Sequence, residues 1–135
     1  MFKRVSHIGL AVRDIEASTA LFRRLFGKEP DHAERLPEHK VSTAMFDVGG
    51  SMLELTAALD ADSPIARFID KRGEGVHHIS FVVEDVRSEL ARLKAAGFQL
   101  IDEEPRPGAD GTLVAFLHPK STNGVLIEIS QKQDR

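Results

Sequence analysis

A short apolar run typical of a strand is followed by apolar residues at helical spacing, and this order occurs twice along the chain. Residues 7–12 and 78–83 are short apolar runs rich in β-branched and aliphatic side chains, which is typical of strands. Each run is followed by an aspartate suited to capping a helix, Asp14 or Asp85, and then by apolar residues at helical spacing up to a glycine. The pattern therefore predicts a strand and then a helix in each half.

Further strands are predicted after each helix. In chain order they lie near residues 28–36, 41–48, 51–56, 99–103, 112–118 and 124–130. Residues 63–72 predict a connecting helix with Ser63 as its N-cap, and the proline- and glycine-rich residues 105–111 predict a loop. The predicted fold class is α+β, with two tandem βαβββ modules, about residues 5–59 and 76–131, forming a curved mixed sheet around a cleft within a single domain of residues 1–135.

The two halves also repeat residue by residue. The stretch HIGLAVRDIEASTALFRRLFG, from residue 7, matches HISFVVEDVRSELARLKAAG, from residue 78. Each half then ends in a strand with one acid between aliphatic residues, Leu53-Glu54-Leu55 in the first and Ile127-Glu128-Ile129 in the second. The histidine and the acid are 47 residues apart in the first half and 50 in the second. Such agreement indicates an internal duplication.

The duplicated histidines and acids suggest a metal site. Because side chains alternate across a strand, Glu54 and Glu128 should both face away from the aliphatic core. A pseudo-twofold arrangement of the halves would then gather His7, Glu54, His78 and Glu128 in one cleft. Imidazole and carboxylate ligands suit Fe, Co, Ni, Mn or Zn, and four protein ligands on an octahedral ion leave two positions open for chemistry.

Each of these residues alone would more often be a structural histidine or a solvated acid, and the repeat is what favours the metal. His77 is the rival of His78, which we prefer because it aligns with His7. The remaining histidines have no counterpart in the repeat and are expected to lie at the surface or behind the ligands; they are His32, His39 and His118.

The composition limits the kinds of molecule that the protein is expected to bind. The 135 residues carry a net charge of −3, no cysteine, tyrosine or tryptophan, and no apolar run near the roughly 18 residues of a membrane span. These features disfavour disulfides, thiolate metal sites and a nucleic-acid surface. The N-terminal residues hold no apolar stretch typical of a signal peptide. We expect a cytoplasmic protein that binds neither nucleic acid nor membrane.

The segments HIGLAV, GVHHISFVV and GVLIEIS resemble the vicinal oxygen chelate superfamily, which includes glyoxalase I, extradiol dioxygenases and antibiotic-resistance proteins. Within it, the stretches DSPIA, GEGVHHI, DEEP and FLHPKS resemble the methylmalonyl-CoA epimerase family. The resemblance implies an isomerase that interconverts the (R) and (S) epimers of an acyl-CoA by moving the C2 proton through a metal-stabilised enolate. It implies one divalent ion, Co²⁺ or Mn²⁺ ahead of Zn²⁺, Ni²⁺ or Fe²⁺.

The resemblance also implies roles for single residues. The metal ligands would be His7, Glu54, His78 and Glu128, with Glu128 also carrying a proton, although some epimerases have glutamine in place of Glu54. Thr43 stands where some members place a second acid-base glutamate, so Glu38, His39 or a metal-bound water would have to replace it. Cations available for the CoA phosphates are Arg13, Arg23, Arg24, Lys28, Arg106 and Lys120. Exposed sheet edges favour a homodimer.

Three other functions fit part of this pattern. A glyoxalase I type lactoylglutathione lyase would use the same His-Glu-His-Glu ligand set. An Fe(II) dioxygenase would need only two histidines and one carboxylate, so Glu54 counts against it. A non-catalytic binding protein of the same superfamily would have no use for four metal ligands.

Overall fold

The computed structural model describes residues 1–108 and 111–133. In this part of the chain the fold is α+β, with eight strands and three α-helices. The strands are β1 (Phe2–Ala11), β2 (His32–Leu36), β3 (Val41–Val48), β4 (Ser51–Ala58), β5 (Gly75–Val83), β6 (Arg106–Pro107), β7 (Thr112–Leu117) and β8 (Leu126–Lys132). The helices are α1 (Ile15–Phe26), α2 (Pro64–Arg72) and α3 (Val86–Ala95). None of these helices is both long and apolar enough to cross a bilayer.

The chain divides into two compact units with the same internal topology. The first unit is residues 7–77, and the second comprises residues 1–6 with the chain from residue 78 onward. Strand order is β2-β3-β4-β1 in the first unit and β5-β8-β7-β6 in the second. In each, the first strand runs parallel to the last, and the last runs antiparallel to the strand before it. The prediction of an α+β fold with two βαβββ modules and mixed pairing is confirmed.

In the first unit, α1 begins and ends where the sequence predicts. The Asp14 carboxylate accepts hydrogen bonds from the backbone N–H groups of Glu16 and Ala17, at 3.0 and 3.1 Å, and so caps the helix. Gly27 ends the helix at φ 69°, a backbone conformation that is unfavourable for residues with a Cβ. The apolar side of α1 packs on one face of β3 and β4, in a core of Val12, Ala44, Phe46, Leu55 and Ala57.

The second unit buries its helix more deeply. Asp85 caps α3 through the backbone N–H of Ser88. The core beneath α3 consists of Val83, Val86, Leu90, Leu93, Leu113, Ala115, Leu117 and Ile129. In both units the aliphatic neighbours of the strand acids, Leu55 and Ile129, are fully buried in this helix-covered core. The acids therefore face the other side of their strands, as expected.

One buried acid in this core gives a prediction about acid stability. Glu89 is 5% exposed, and its carboxylate accepts hydrogen bonds from Arg92 at 2.8 and 3.1 Å and from the Met1 amino group at 3.1 Å. The hydrogen bonds from Arg92 hold the pKa of Glu89 below its usual value, against the opposing effect of burial. Because the pKa is lower in the folded state, the ionised side chain stabilises the fold above the usual glutamate pKa.

This stabilisation is lost as the pH falls from the usual glutamate pKa through the depressed one. We expect the urea midpoint of the wild type to fall more steeply over that acid range than that of Glu89→Gln. Urea unfolding at a series of pH values checks this. Parallel curves for the two proteins would show that Glu89 does not contribute.

Two predicted strands differ from the observed ones. No strand forms over residues 99–103, where the backbone makes an isolated bridge between Leu100 and Leu117, and the Ile101 N–H donates to the Phe116 carbonyl at 2.9 Å. The Asp102 carboxylate accepts the hydrogen bond of Phe116 N–H at 2.8 Å, so a side chain replaces the backbone carbonyl of a strand partner. The strand that does pair with β7 is β6, at Arg106, inside the segment predicted as a loop.

Similarly, β2 begins at His32 and not near residue 28. Ahead of it, the Asp31 carboxylate accepts the backbone N–H of Asp47 at 2.7 Å, and Lys28 Nζ donates to the Asp47 carbonyl at 2.9 Å. These side chains make the contacts with the end of β3 that further strand pairing would have made.

Candidate metal centre

The strand register places each histidine and its acid in the same relation in both units. In the first, His7 lies opposite Met52, and Glu54 lies opposite Gly9, two residues further along β1. In the second, His78 lies opposite Leu126, and Glu128 lies opposite Ser80. Residues at alternate positions of paired strands point to the same side, so each histidine shares a face with its acid.

Three of the four predicted ligands form a cluster. His7, Glu54 and His78 each offer one ligand atom, and these atoms lie within 4.8 Å of one another. All three side chains are half-buried. Glu128 is not in this cluster as the structure describes it. The fourth ligand therefore stays a prediction, whereas a His/Glu/His candidate metal site is present.

The donor set fits a first-row divalent ion. Ligand atoms about 2.1 Å from an octahedral ion lie about 3 Å apart when adjacent and about 4.2 Å apart when opposite. The ligand atoms of the cluster all lie within 4.8 Å of one another, close enough for small side-chain rotations to bring them to these distances. Two neutral imidazoles and one carboxylate suit Fe, Co, Ni, Mn and Zn, and cysteine, the ligand of soft metals, is absent from the sequence.

The Glu128 carboxylate is held by a serine that the sequence interpretation did not single out. Ser80 is fully buried, and its hydroxyl donates a hydrogen bond of 2.5 Å to Glu128 Oε1. The equivalent residue opposite Glu54 is Gly9, which has no side chain to offer. The duplication thus supplies two acids in equivalent positions, with a serine opposite Glu128 and a glycine opposite Glu54. The available signal was a serine within the apolar run HISFVV.

Thr56 is a second polar residue on this face. It lies two residues beyond Glu54 on β4, opposite Thr43 of β3, and is 7% exposed. Within the residues that the structure describes, its buried hydroxyl has no hydrogen-bond partner. Buried hydroxyls are seldom left so, and water or a bound molecule is the usual partner.

Thr43 lies on the same side of its strand as Glu54 does on the neighbouring strand, as the register of β3 and β4 shows. Strand β2 places Glu34 directly opposite Thr43, so this exposed acid lies on the same side. Glu38 and His39 are also exposed, in a short 3₁₀ turn between β2 and β3. Glu34 was missed in the sequence because an acid in an exposed edge strand resembles an ordinary surface charge.

The structure separates the two neighbouring histidines of β5. His78 is in the cluster, whereas the His77 ring packs edge-on against Phe68 of α2, with 4.9 Å between centroids. His118 caps a 3₁₀ turn, its Nδ1 accepting the backbone N–H of Lys120 at 3.0 Å. His32 and His39 are exposed.

Four of the six cations considered for CoA phosphates already have acidic partners. Arg13 pairs with Glu74, Arg23 with Glu29 and Lys28 with Asp31, at 3.8, 2.6 and 2.8 Å. Arg106 lies 3.5 Å from Asp102. Arg24 and Lys120 are exposed. Arg106 lies over the ring of Phe116, with 5.2 Å between the guanidinium carbon and the ring centroid.

Comparison with known proteins agrees with this arrangement. The uncharacterized protein YqjC of Bacillus subtilis is 41% identical over 95% of this chain and 91% of its own length. The ethylmalonyl-CoA/methylmalonyl-CoA epimerase of Cereibacter sphaeroides is 39% identical over 97% of this chain and 99% of its own. A solved structure of a variant Streptomyces coelicolor methylmalonyl-CoA epimerase, in complex with 2-nitronate-propionyl-CoA, superposes with a TM-score of 0.85 at 36% identity. That match covers 98% of this chain and 96% of the other.

The sequence profile of the Glyoxalase/Bleomycin resistance protein/Dioxygenase superfamily matches residues 6–116, which include His7 of β1, Glu54 of β4 and His78 of β5. The resemblance that the repeated segments indicated is confirmed, and its relatives with assigned activities include methylmalonyl-CoA epimerases. This chain belongs to the Glyoxalase/Bleomycin resistance protein/Dioxygenase superfamily.

Proposed function

We propose that this protein is a metal-dependent methylmalonyl-CoA epimerase, which interconverts the (R) and (S) epimers by removing and returning the proton at C2. The observation that carries the proposal is the cluster of His7, Glu54 and His78, whose ligand atoms lie within 4.8 Å of one another. The full-length similarity to epimerases, at 36–39% identity, supports the choice of substrate.

The reaction needs a stabilised carbanion and two proton carriers. The carbon between a thioester and a carboxylate is acidic, but too weakly for an unaided side chain. A divalent ion held by His7, Glu54 and His78, with Glu128 as the predicted fourth ligand, would supply Lewis-acid stabilisation of the negative charge that develops on the thioester oxygen. The metal would be Co²⁺ or Mn²⁺, as the resemblance implies.

Glu128 would accept the C2 proton on one side of the substrate. The Ser80 hydroxyl donates to one oxygen of this carboxylate at 2.5 Å and so helps to orient it. The second proton carrier must stand in for the glutamate that Thr43 replaces. Glu34 is the acid that the strand register places beside Thr43, and it joins Glu38 and His39 as candidates for that role.

Deuterium wash-in at C2 of methylmalonyl-CoA tests the proposal. In D₂O, the purified protein should catalyse incorporation of deuterium at C2 of methylmalonyl-CoA and equilibrate the two epimers. A chelator should stop both reactions, and added Co²⁺ or Mn²⁺ should restore them. If the metal-loaded protein did not exchange the C2 proton but converted a glutathione hemithioacetal, the epimerase proposal would be wrong and a lactoylglutathione lyase would take its place.

We also propose that the enzyme acts on a small acyl-CoA substrate, works in the cytoplasm and forms a homodimer. The short edge strands β2 and β6, which lie at the ends of their units' strand order, provide backbone edges through which a second copy can pair.

A further inference from the structure

An arginine lies on the same face as the predicted base in the second unit. Strand β6 pairs Arg106 with Val114 of β7, and two residues along β7, Phe116 pairs with Glu128 of β8. Alternation along β7 puts Val114 and Phe116 on one side. Arg106, Phe116 and Glu128 therefore share a face, with the guanidinium above the ring next to the acid's strand.

The guanidinium is held in position although it is exposed. Its carbon lies 5.2 Å from the centroid of the Phe116 ring, within the range of a cation–π contact. On another side, its Nε lies 3.5 Å from Asp102 Oδ1. The Asp102 side chain is only 16% exposed, and its second oxygen accepts the backbone N–H of Phe116 at 2.8 Å. Asp102 thus ties the arginine to the strand it covers.

The backbone around Arg106 is shaped to reach this face. Pro105 and Pro107 restrict φ on either side of it. Gly108 N–H donates to the Thr112 carbonyl at 2.9 Å, and a Cβ on Gly108 would lie 2.6 Å from Thr112 Oγ1 and 2.7 Å from a Val114 methyl group. Only glycine permits this close approach, which brings the segment with Arg106 down onto β7.

Apart from the Nε that faces Asp102, the donors of Arg106 are not used by the fold in the part of the chain that the structure describes. Within residues 1–108 and 111–133 the guanidinium donates no hydrogen bond, and its side chain is 56% exposed. A planar guanidinium with unused N–H groups matches the paired oxygens of a carboxylate or a phosphate. An arginine held in place, with its terminal N–H groups unused and on the same face as the predicted base, is arranged to bind an anion.

We propose that Arg106 binds the free carboxylate of the acyl group and thereby selects malonyl-type thioesters. The inference rests on the proposed function for the identity of the acyl-CoA. A carboxylate is favoured over a CoA phosphate because only β7 separates the strand of Arg106 from that of Glu128, beside which C2 must sit. The pantetheine arm places the phosphates many bonds further away.

Binding measurements test the assignment independently of turnover. Calorimetry would compare methylmalonyl-CoA, propionyl-CoA, which lacks the carboxylate, and methylmalonyl-pantetheine, which lacks the nucleotide phosphates. Arg106→Met should weaken binding of both methylmalonyl thioesters by a factor on the order of 10–100, because a charge-assisted bond is lost. It should leave propionyl-CoA within about twofold of the wild type. Arg106→Lys should fall between, since it keeps the charge but loses the planar donors.

Arg87→Met, which removes an exposed arginine from the first turn of α3, is the control and should leave all three affinities unchanged. If Arg106→Met weakened binding of methylmalonyl-CoA and propionyl-CoA equally but left binding of methylmalonyl-pantetheine unchanged, the carboxylate assignment would be overturned in favour of a phosphate. Unchanged affinities in Arg106→Met would overturn it altogether. A wild type that binds these thioesters with the predicted preference but does not epimerise them would refute the proposed function and leave Arg106's role standing.

Discussion

Replacement of Glu128 by glutamine is expected to slow exchange of the C2 proton of methylmalonyl-CoA by about 10²–10⁴-fold. The amide keeps the shape of the side chain and an oxygen that can accept the Ser80 hydrogen bond. It cannot accept a proton at neutral pH. Proton transfer should therefore fail while the fold and much of the metal affinity remain. Mass spectrometry of deuterium incorporation, with metal content measured on the same sample, checks both parts.

The duplication supplies a matched control. Glu54 occupies the equivalent position in the first unit, but lies opposite Gly9 and not opposite a serine. Some epimerases carry glutamine at this position, as the resemblance implies. We expect Glu54→Gln to keep most of the exchange rate. Near-normal exchange in Glu128→Gln, or equal losses in the two variants, would remove the asymmetry on which the choice of base depends.

The second large effect is expected at the adjacent histidines of β5. His78→Ala should weaken metal binding by more than about 100-fold, because loss of a ligand exceeds the loss of a residue that merely supports one. His77→Ala should leave metal binding nearly unchanged, since its ring packs against Phe68. Neighbouring residues of a strand point to opposite sides, which gives two similar substitutions opposite predictions.

Metal content after dialysis against a weak chelator distinguishes the two variants. His77→Ala is expected to cost stability through the lost ring contact, so its unfolding curve serves as the control for general damage. Equal metal loss in both variants would mean that the strand, and not the imidazole of His78, is what matters. Loss of metal in His77→Ala alone would exchange their roles.

The internal repeat explains why so much was predictable. Hydrophobic periodicity, the Asp14 and Asp85 caps and the glycines after the helices are local signals, and the structure places the helices as they indicate. The placement of His7 and Glu54 on one face in the first unit, and of His78 and Glu128 on one face in the second, follows from strand alternation. Both depend on short-range geometry that a sequence carries directly.

What escaped the sequence depends on contacts between distant residues. The strand predicted near residues 99–103 failed because the Asp102 side chain took the backbone hydrogen bond of Phe116, fourteen residues away. Ser80 and Glu128 are 48 residues apart, and neither segment alone contains a signal that predicts their hydrogen bond. Glu34 came to lie beside Thr43 only through the register of β2 and β3. Tertiary pairing decided each of these cases.

The most direct test of the central claim is an anomalous diffraction measurement on crystals of the protein loaded with cobalt. We expect one cobalt peak per chain, at bonding distance of about 2.1 Å from the imidazole nitrogens of His7 and His78 and from a carboxylate oxygen of Glu54. Glu128 should complete the protein ligands. A peak bound elsewhere, or no peak near these three side chains in active crystals, would contradict it.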